Sequence, residues 1–287
     1  MIKELVVLSG KGGTGKTSLM AALASISENS VLCDADVDAA DLHLLMDPDI
    51  QQRTDFMGGN VAIIDTDKCT LCGQCIDLCR FDAIRDDFIV DKIDCEGCGV
   101  CVDLCPEQAI DFPVQKCGEW FISNTRFGAM VHARLGIAEE NSGKLVTLVR
   151  QEARKLAEAQ DLERIITDGP PGVGCPVIAS VGGATTVLIV TEPTVSGLHD
   201  MKRVLELGEH FSVPCMLCIN KFDLNLNQTA AIEALAREKN IPMVGKIPFD
   251  SQFTLSMVQG KTIIEHDQNS QLSLTINQMW DTLCHYI

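Results

Sequence analysis

An octapeptide near the start of this 287-residue chain, Gly10-Lys11-Gly12-Gly13-Thr14-Gly15-Lys16-Thr17, leaves it few folds to choose from. It follows the apolar run Glu4–Ser9 and precedes Ser18–Ser27, a stretch rich in Ala and Leu that reads as a helix. A G-x4-G-K-[ST] segment between a buried strand and a helix is a phosphate-binding loop. Its glycines let backbone N–H groups curl around phosphate, and the helix N-terminus adds positive potential. Gly10, Lys11, Gly12, Gly13, Thr14, Gly15, Lys16, Thr17 and Ser18 are therefore the expected nucleotide-binding residues. Lys16 should reach the β/γ-phosphates and the Thr17 hydroxyl should ligate Mg²⁺.

The rest of the chain keeps the same rhythm on both sides of one interruption. Val31–Asp34 reads as a second strand, and strand, loop, helix, strand opens a parallel α/β sheet. Helices are expected over Leu145–Ala159, His199–His210, Gln228–Lys239 and Asn269–Ile287, and strands over Arg164–Asp168, Thr185–Val190, Pro214–Asn220 and Val244–Ile247. Asp168 closes its strand ahead of Gly169-Pro170-Pro171-Gly172, as expected of a Walker-B aspartate that holds the Mg²⁺ shell. The expected fold class is α/β, a doubly wound, mostly parallel P-loop NTPase sheet.

The interruption carries eight cysteines. Cys69, Cys72, Cys75 and Cys79, then Cys95, Cys98, Cys101 and Cys105, each read C-x2-C-x2-C-x3-C, with Pro106 after the second run and Arg80 after the first. That spacing is the one that holds two [4Fe–4S] clusters in bacterial ferredoxins, three ligands coming from one run and the fourth from the other. Cluster one is thus assigned Cys69, Cys72, Cys75 and Cys105, and cluster two Cys95, Cys98, Cys101 and Cys79. Zinc does not suit two evenly spaced trios plus one. The halves Ile64–Ile84 and Val90–Ile110 are internal repeats of one unit, with short β-like pieces at Val61–Ile64, Phe88–Val90 and Ala109–Phe112. The expected division is 1–59 and 114–287 for the ATPase, with a small α+β ferredoxin-like domain inserted at 60–113. Of the remaining cysteines, Cys215 and Cys218 fall on opposite sides of one strand and read as buried small hydrophobes. Cys117 and Cys175 are better placed for a labile ligand.

With Lys11 inside the loop, the chain resembles the MinD/ParA/Mrp (SIMIBI) group of P-loop ATPases, and in particular its members with a ferredoxin insertion. Lys11 matches that group's signature lysine. The resemblance implies an ATP-dependent homodimer in which Lys11 crosses to the partner's phosphates, so that Lys11, Lys16 and Asp36 are the implied catalytic residues. It also implies that Asp36 orients the attacking water, that Asp34 helps to hold the water shell of Mg²⁺, and that Asn220, in Asn220-Lys221-Phe222-Asp223, faces adenine with Asp223 nearby. An Asn-Lys-x-Asp run suits guanine as well, so ATP is favoured over GTP by the loop rather than by this segment. Glu140–Lys144 and Thr191–Asp200 are the implied switch and dimer-contact loops.

Charge and hydropathy narrow the function classes. A formal net charge of −17 argues against nucleic acid as a partner, because such a footprint is basic. No apolar run approaches the length of a membrane span and the closing helix carries little basic charge, so no membrane role is expected. Cysteine used as thiolate points to a reducing, cytoplasmic setting. The implied function is an ATPase that couples nucleotide-driven dimer switching to electron transfer, or to iron–sulfur or metal-cofactor handling, on a redox or metalloprotein client. The alternative is a positioning or complex-organising ATPase with a redox-sensing ferredoxin domain.

Overall fold

The computed structural model describes residues 2–136 and 142–287. Among the described residues there are eleven strands: β1 Lys3–Ser9, β2 Ser30–Asp34, β3 Asp49–Asn60, β4 Ile63–Ile64, β5 Ile110–Asp111, β6 Val114–Thr125, β7 Gly128–Leu135, β8 Arg164–Pro171, β9 Thr186–Thr191, β10 Cys215–Asn220 and β11 Met243–Ile247. The α-helices are α1 Lys16–Ile26, α2 His43–Met46, α3 Gln74–Leu78, α4 Val100–Asp103, α5 Ser142–Ala159, α6 Cys175–Val181, α7 Val195–His210, α8 Leu226–Glu238, α9 Gln252–Val258, α10 Ile263–His266 and α11 Gln271–Cys284.

Nine of the strands form one sheet in the order β11-β10-β9-β1-β8-β2-β7-β6-β3. The fold is a mixed, mostly parallel P-loop NTPase sheet. β1 lies between β8 and β9, parallel to both, and β2 pairs parallel with β8 and β7. The strand order reverses direction around β1, and ligands of open α/β sheets gather at the carboxyl ends of strands beside such a point.

These strands are readable because they are buried on both faces. Val31, Leu32 and Cys33 of β2 are sealed from solvent, as are Val187–Val190 of β9, giving near-continuous apolar runs rather than alternation. Alternate residues still feed opposite cores. Met216 and Cys218 join Leu5, Leu23 and Met279 on one side, while Cys215, Leu217 and Ile219 join Val6, Val204 and Ile232 on the other. Cys215 and Cys218 thus sit in different cores, where burial pushes their thiols up to about 11 and about 12. They are packing residues.

β3, β6 and β7 were not expected from the sequence pattern. In β6, VQKCGEWFISNT mixes Lys116, Gly118, Glu119 and Asn124 with aromatics, so no clean period-2 signal survives.

The chain divides into two compact units, one of Met1–Thr54, Trp120–Arg134 and Ser142–Ile287, the other of Asp55–Glu119 and Leu135–Asn141. Within the second, β4 and β5 pair antiparallel through Ile63↔Asp111 and Ile64↔Ile110, and Ile84 bridges Val90. Ala62, Ala83, Ile84, Ala109 and Ile110 are buried, whereas Leu71, Ile89 and Ile93 are exposed. Of the two switch loops implied by resemblance, Glu140 and Asn141 lie outside the described residues.

A buried ion pair ties the first unit together. Glu4 of β1 is 1 % exposed, yet carries a carboxylate. Arg150 of α5 donates to both its oxygens at 2.8 Å and also to the carbonyls of Ala179 and Gly182 around the end of α6. Arg154 and the Thr167 hydroxyl add further donors to Glu4. Removing one partner of such a pair leaves the other charge uncompensated. Arg150→Ala should therefore cost about 3–5 kcal/mol, read as a lowered midpoint in chemical denaturation.

Candidate functional site

The loop between β1 and α1 is shaped by what it must approach. Gly15 has φ +85°, and a Cβ there would stand 2.3 Å from Asn220 Nδ2. Gly10 is pressed against the first turns of α7, where a Cβ would lie 2.3 Å from Asp200 Cβ and 2.8 Å from its backbone carbonyl carbon. Neither position admits a side chain. Gly12 and Gly13, by contrast, have open space where a Cβ would go.

Sheet register gathers the acidic residues beside this loop. Asp34 of β2 is the register partner of Asp168 of β8, which in turn pairs with Val7 of β1 just ahead of the loop. Lys16, the first residue of α1, is 6 % exposed and donates to Asp168 Oδ1 at 2.7 Å and Asp36 Oδ2 at 3.3 Å. Thr17 Oγ1 donates to the other Asp168 oxygen at 3.0 Å. Asp36 N donates to Asp34 Oδ1 at 3.1 Å, while Asp34 Oδ2 and Thr14 Oγ1 are buried with no hydrogen-bond partner.

Three carboxylates around one ammonium leave the pocket short of positive charge. Burial, reinforced by Asp168, holds the Asp34 carboxyl well above the usual range. Burial and Asp168 raise Asp36 as well, against the pull of Lys16. Burial disfavours charge on Lys16, but Asp168 and Asp36 outweigh it and raise its pKa. A partnerless buried carboxylate oxygen next to Thr17 and Asp168 suits a hydrated divalent cation. Such a cation takes one or two protein oxygens and completes its shell with phosphate and water, so it needs no all-protein cage.

The remaining predicted residues fall close by. Asn220 is buried at the end of β10, with Nδ2 donating to the Thr14 carbonyl at 2.7 Å and Oδ1 accepting from Lys221 N. Its side chain thus braces the phosphate loop. Asp223 Oδ1 accepts from Phe249 N, and Ser18 Oγ lies 3.1 Å from Met257 Sδ of α9. Lys11 Nζ contacts Glu192, Thr194 and Ser196, all between the end of β9 and the start of α7. Glu192 and Lys221 carry site contacts that motif reading did not assign; two lysines near one strand-end carboxylate were the available signal.

The eight run cysteines separate into the two predicted sets, but not as a metal centre. Cys69, Cys72, Cys75 and Cys105 line one cavity, and Cys79, Cys95, Cys98 and Cys101 another. Among the described residues, no group of three or more His, Cys, Asp or Glu side chains is assembled to hold a metal ion. The expectation of two [4Fe–4S] clusters as resident cofactors is corrected accordingly. Partial burial pushes the Cys75 thiol up and takes that of Cys101 to about 11. No disulfide joins the cysteines among the described residues. Cys175 is exposed at the start of α6 and Cys117 is buried in β6. No helix among the described residues is long and apolar enough to cross a membrane.

Sheet order, phosphate loop and buried acidic pocket together define a P-loop ATPase. Residues 5–263 match the CobQ/CobB/MinD/ParA nucleotide binding domain, and the chain belongs to that family. An uncharacterized protein of Methanocaldococcus jannaschii is 32% identical over 100% of this chain and 98% of its own length. A septum site-determining protein MinD of Synechocystis is 25% identical, covering 94% of this chain and 85% of that protein. Among solved structures, the septum site-determining protein MinD of Pyrococcus horikoshii, complexed with Mg-ADP, superposes with a TM-score of 0.62 at 16% identity. That match covers 99% of this chain and 96% of that one.

The Gly10 contact gives a direct test of the site's packing. Gly10→Ala should lower stability by about 1–3 kcal/mol, the usual cost of overpacking against backbone. Gly12→Ala, facing open space, should leave the denaturation midpoint unchanged.

Proposed function

We propose that this chain is a nucleotide-switched ATPase of the MinD/ParA kind that closes into a homodimer on ATP and thereby positions or organises a partner complex. The cysteine-rich unit around Asp55–Glu119 is the part that meets the client and responds to its redox state. The observation that carries this reading is the buried Lys16 ammonium shared by Asp168 and Asp36, with Thr17 tied to the same Asp168. A buried lysine held by two carboxylates is poised to exchange one of them for phosphate.

The roles follow from the contacts. Lys16 would reach the terminal phosphates of ATP, Asp168 and Thr17 would hold Mg²⁺, and Asp34 would help to hold its water shell. Bound Mg²⁺ supplies charge neutralisation on the phosphates. Asp36, released from Lys16, orients the attacking water. Catalysis of this type is largely positioning and electrostatics, which a preformed set of carboxylates and loop N–H groups supports. Lys11 adds charge at the loop, and Asn220 and Asp223 set the base side.

Size-exclusion chromatography with light scattering tests this reading. With Mg²⁺ and a non-hydrolysed ATP analogue, the wild-type protein should double in mass, whereas Lys16→Ala should remain a monomer and lose analogue binding by at least tenfold. A monomeric wild type at saturating analogue overturns the dimer switch.

A second reading is favoured by one observation, the two four-cysteine cavities. In it the ATPase hands an iron–sulfur group, carried as cargo and not kept as a resident cofactor, to a client protein. Anaerobic preparation followed by iron and sulfide determination decides between the two. Stoichiometric iron that transfers to an apo-protein supports the second reading; protein devoid of iron leaves the first.

A further inference from the structure

One carboxylate at the mouth of the phosphate loop is shared by two lysines. Glu192 follows β9, and its Oε1 lies 2.6 Å from Lys11 Nζ while its Oε2 lies 3.3 Å from Lys221 Nζ. Its side chain is only 16 % exposed. Lys11 Nζ also donates to Ser196 Oγ at 3.0 Å and Thr194 Oγ1 at 3.4 Å. An ammonium has three N–H donors, so those of Lys11 are all engaged within its own chain. Lys221 Nζ meanwhile donates to the carbonyl of Gly13, inside the loop.

A carboxylate and a phosphate oxygen satisfy an ammonium by the same charge-assisted hydrogen bond. Lys11 cannot turn to a phosphate without giving up a bond it already has, and Lys221, with two of its three donors engaged, is held toward Glu192 and the Gly13 carbonyl. We propose that Glu192 is a positioning residue that competes with nucleotide phosphate for Lys11 and Lys221, holding both in a resting arrangement that polyphosphate must displace. This inference rests on the nucleotide-switch reading above and adds to it the group that sets the cost of engaging the loop. The contact between Gly10 and Asp200 places the same segment, from Glu192 into α7, directly against the loop it regulates. Burial tends to raise the Glu192 carboxyl, but Lys11 and Lys221 outweigh it and hold it below the usual range, so the competitor is ionised at neutral pH.

Equilibrium binding of a fluorescent, non-hydrolysed ATP analogue with Mg²⁺ is the test, together with steady-state ATP hydrolysis. Glu192→Gln should tighten analogue binding about fivefold at low salt, the scale of one partly exposed ion pair. The gain should shrink as salt rises, because the competition is between charges. KM for ATP should fall while kcat does not rise, a split that a general loss of structure would not produce. Ser196→Ala, which frees one Lys11 donor without altering charge, should tighten binding in the same direction by about twofold, and it carries the test if Glu192→Gln does not fold. Glu233→Gln removes an equal charge from the pair that Glu233 makes with Lys246 and is the control. Unchanged or weaker binding in Glu192→Gln, or equal tightening in Glu233→Gln, overturns the proposal while wild-type binding stands. Failure of the wild type to bind the analogue removes the nucleotide-switch reading itself.

Discussion

A single buried ammonium organises this molecule's chemistry. Lys16 sits at the start of α1 between carboxylates delivered by β8 and by the turn after β2, and it is the nearest compensation for three acids in a place water hardly reaches. Isolated buried carboxylates are costly, and they persist here because the lysine and a backbone N–H pair with them. The phosphate loop and the register of β1, β8 and β2 together hold Lys16 against those acids.

That constraint explains why so much of the first unit could be read from residues alone. The loop spacing, the strand closed by Asp168 and the apolar runs of β2, β8, β9 and β10 are all local patterns with one physical meaning each. Their observed bounds differ from expectation by a few residues at most. Only α7 began noticeably early, because Thr194 caps it by accepting from Gly197 N. β3, β6 and β7 escaped notice because their sequences mix charge, glycine and aromatics. β6 even buries Glu119, so its strand character comes from sheet neighbours rather than from its own periodicity.

The cysteine runs mark a different boundary of sequence reading. Spacing proposes two groups of four thiols, and two cavities are each lined by three thiols of one run and one of the other. It could not say whether each group converges enough to grip a metal, which depends on three-dimensional closure. Nor could spacing reveal Glu192. A strand-end glutamate is commonplace, and its meaning appears only when Lys11 and Lys221, each remote from it in sequence, are seen to meet on it.

The placement of Cys215 and Cys218 in separate cores has a practical corollary. Both thiols are held in the unreactive protonated form, but only Cys218 is sealed, so an electrophile reaches it when the sheet opens, whereas Cys215 borders a surface cleft. Nature has in effect installed a pair of internal labels, one on each side of β10. The pace at which Cys218 reacts in native buffer, set against that of Cys215, would report how often its side of the protein breathes.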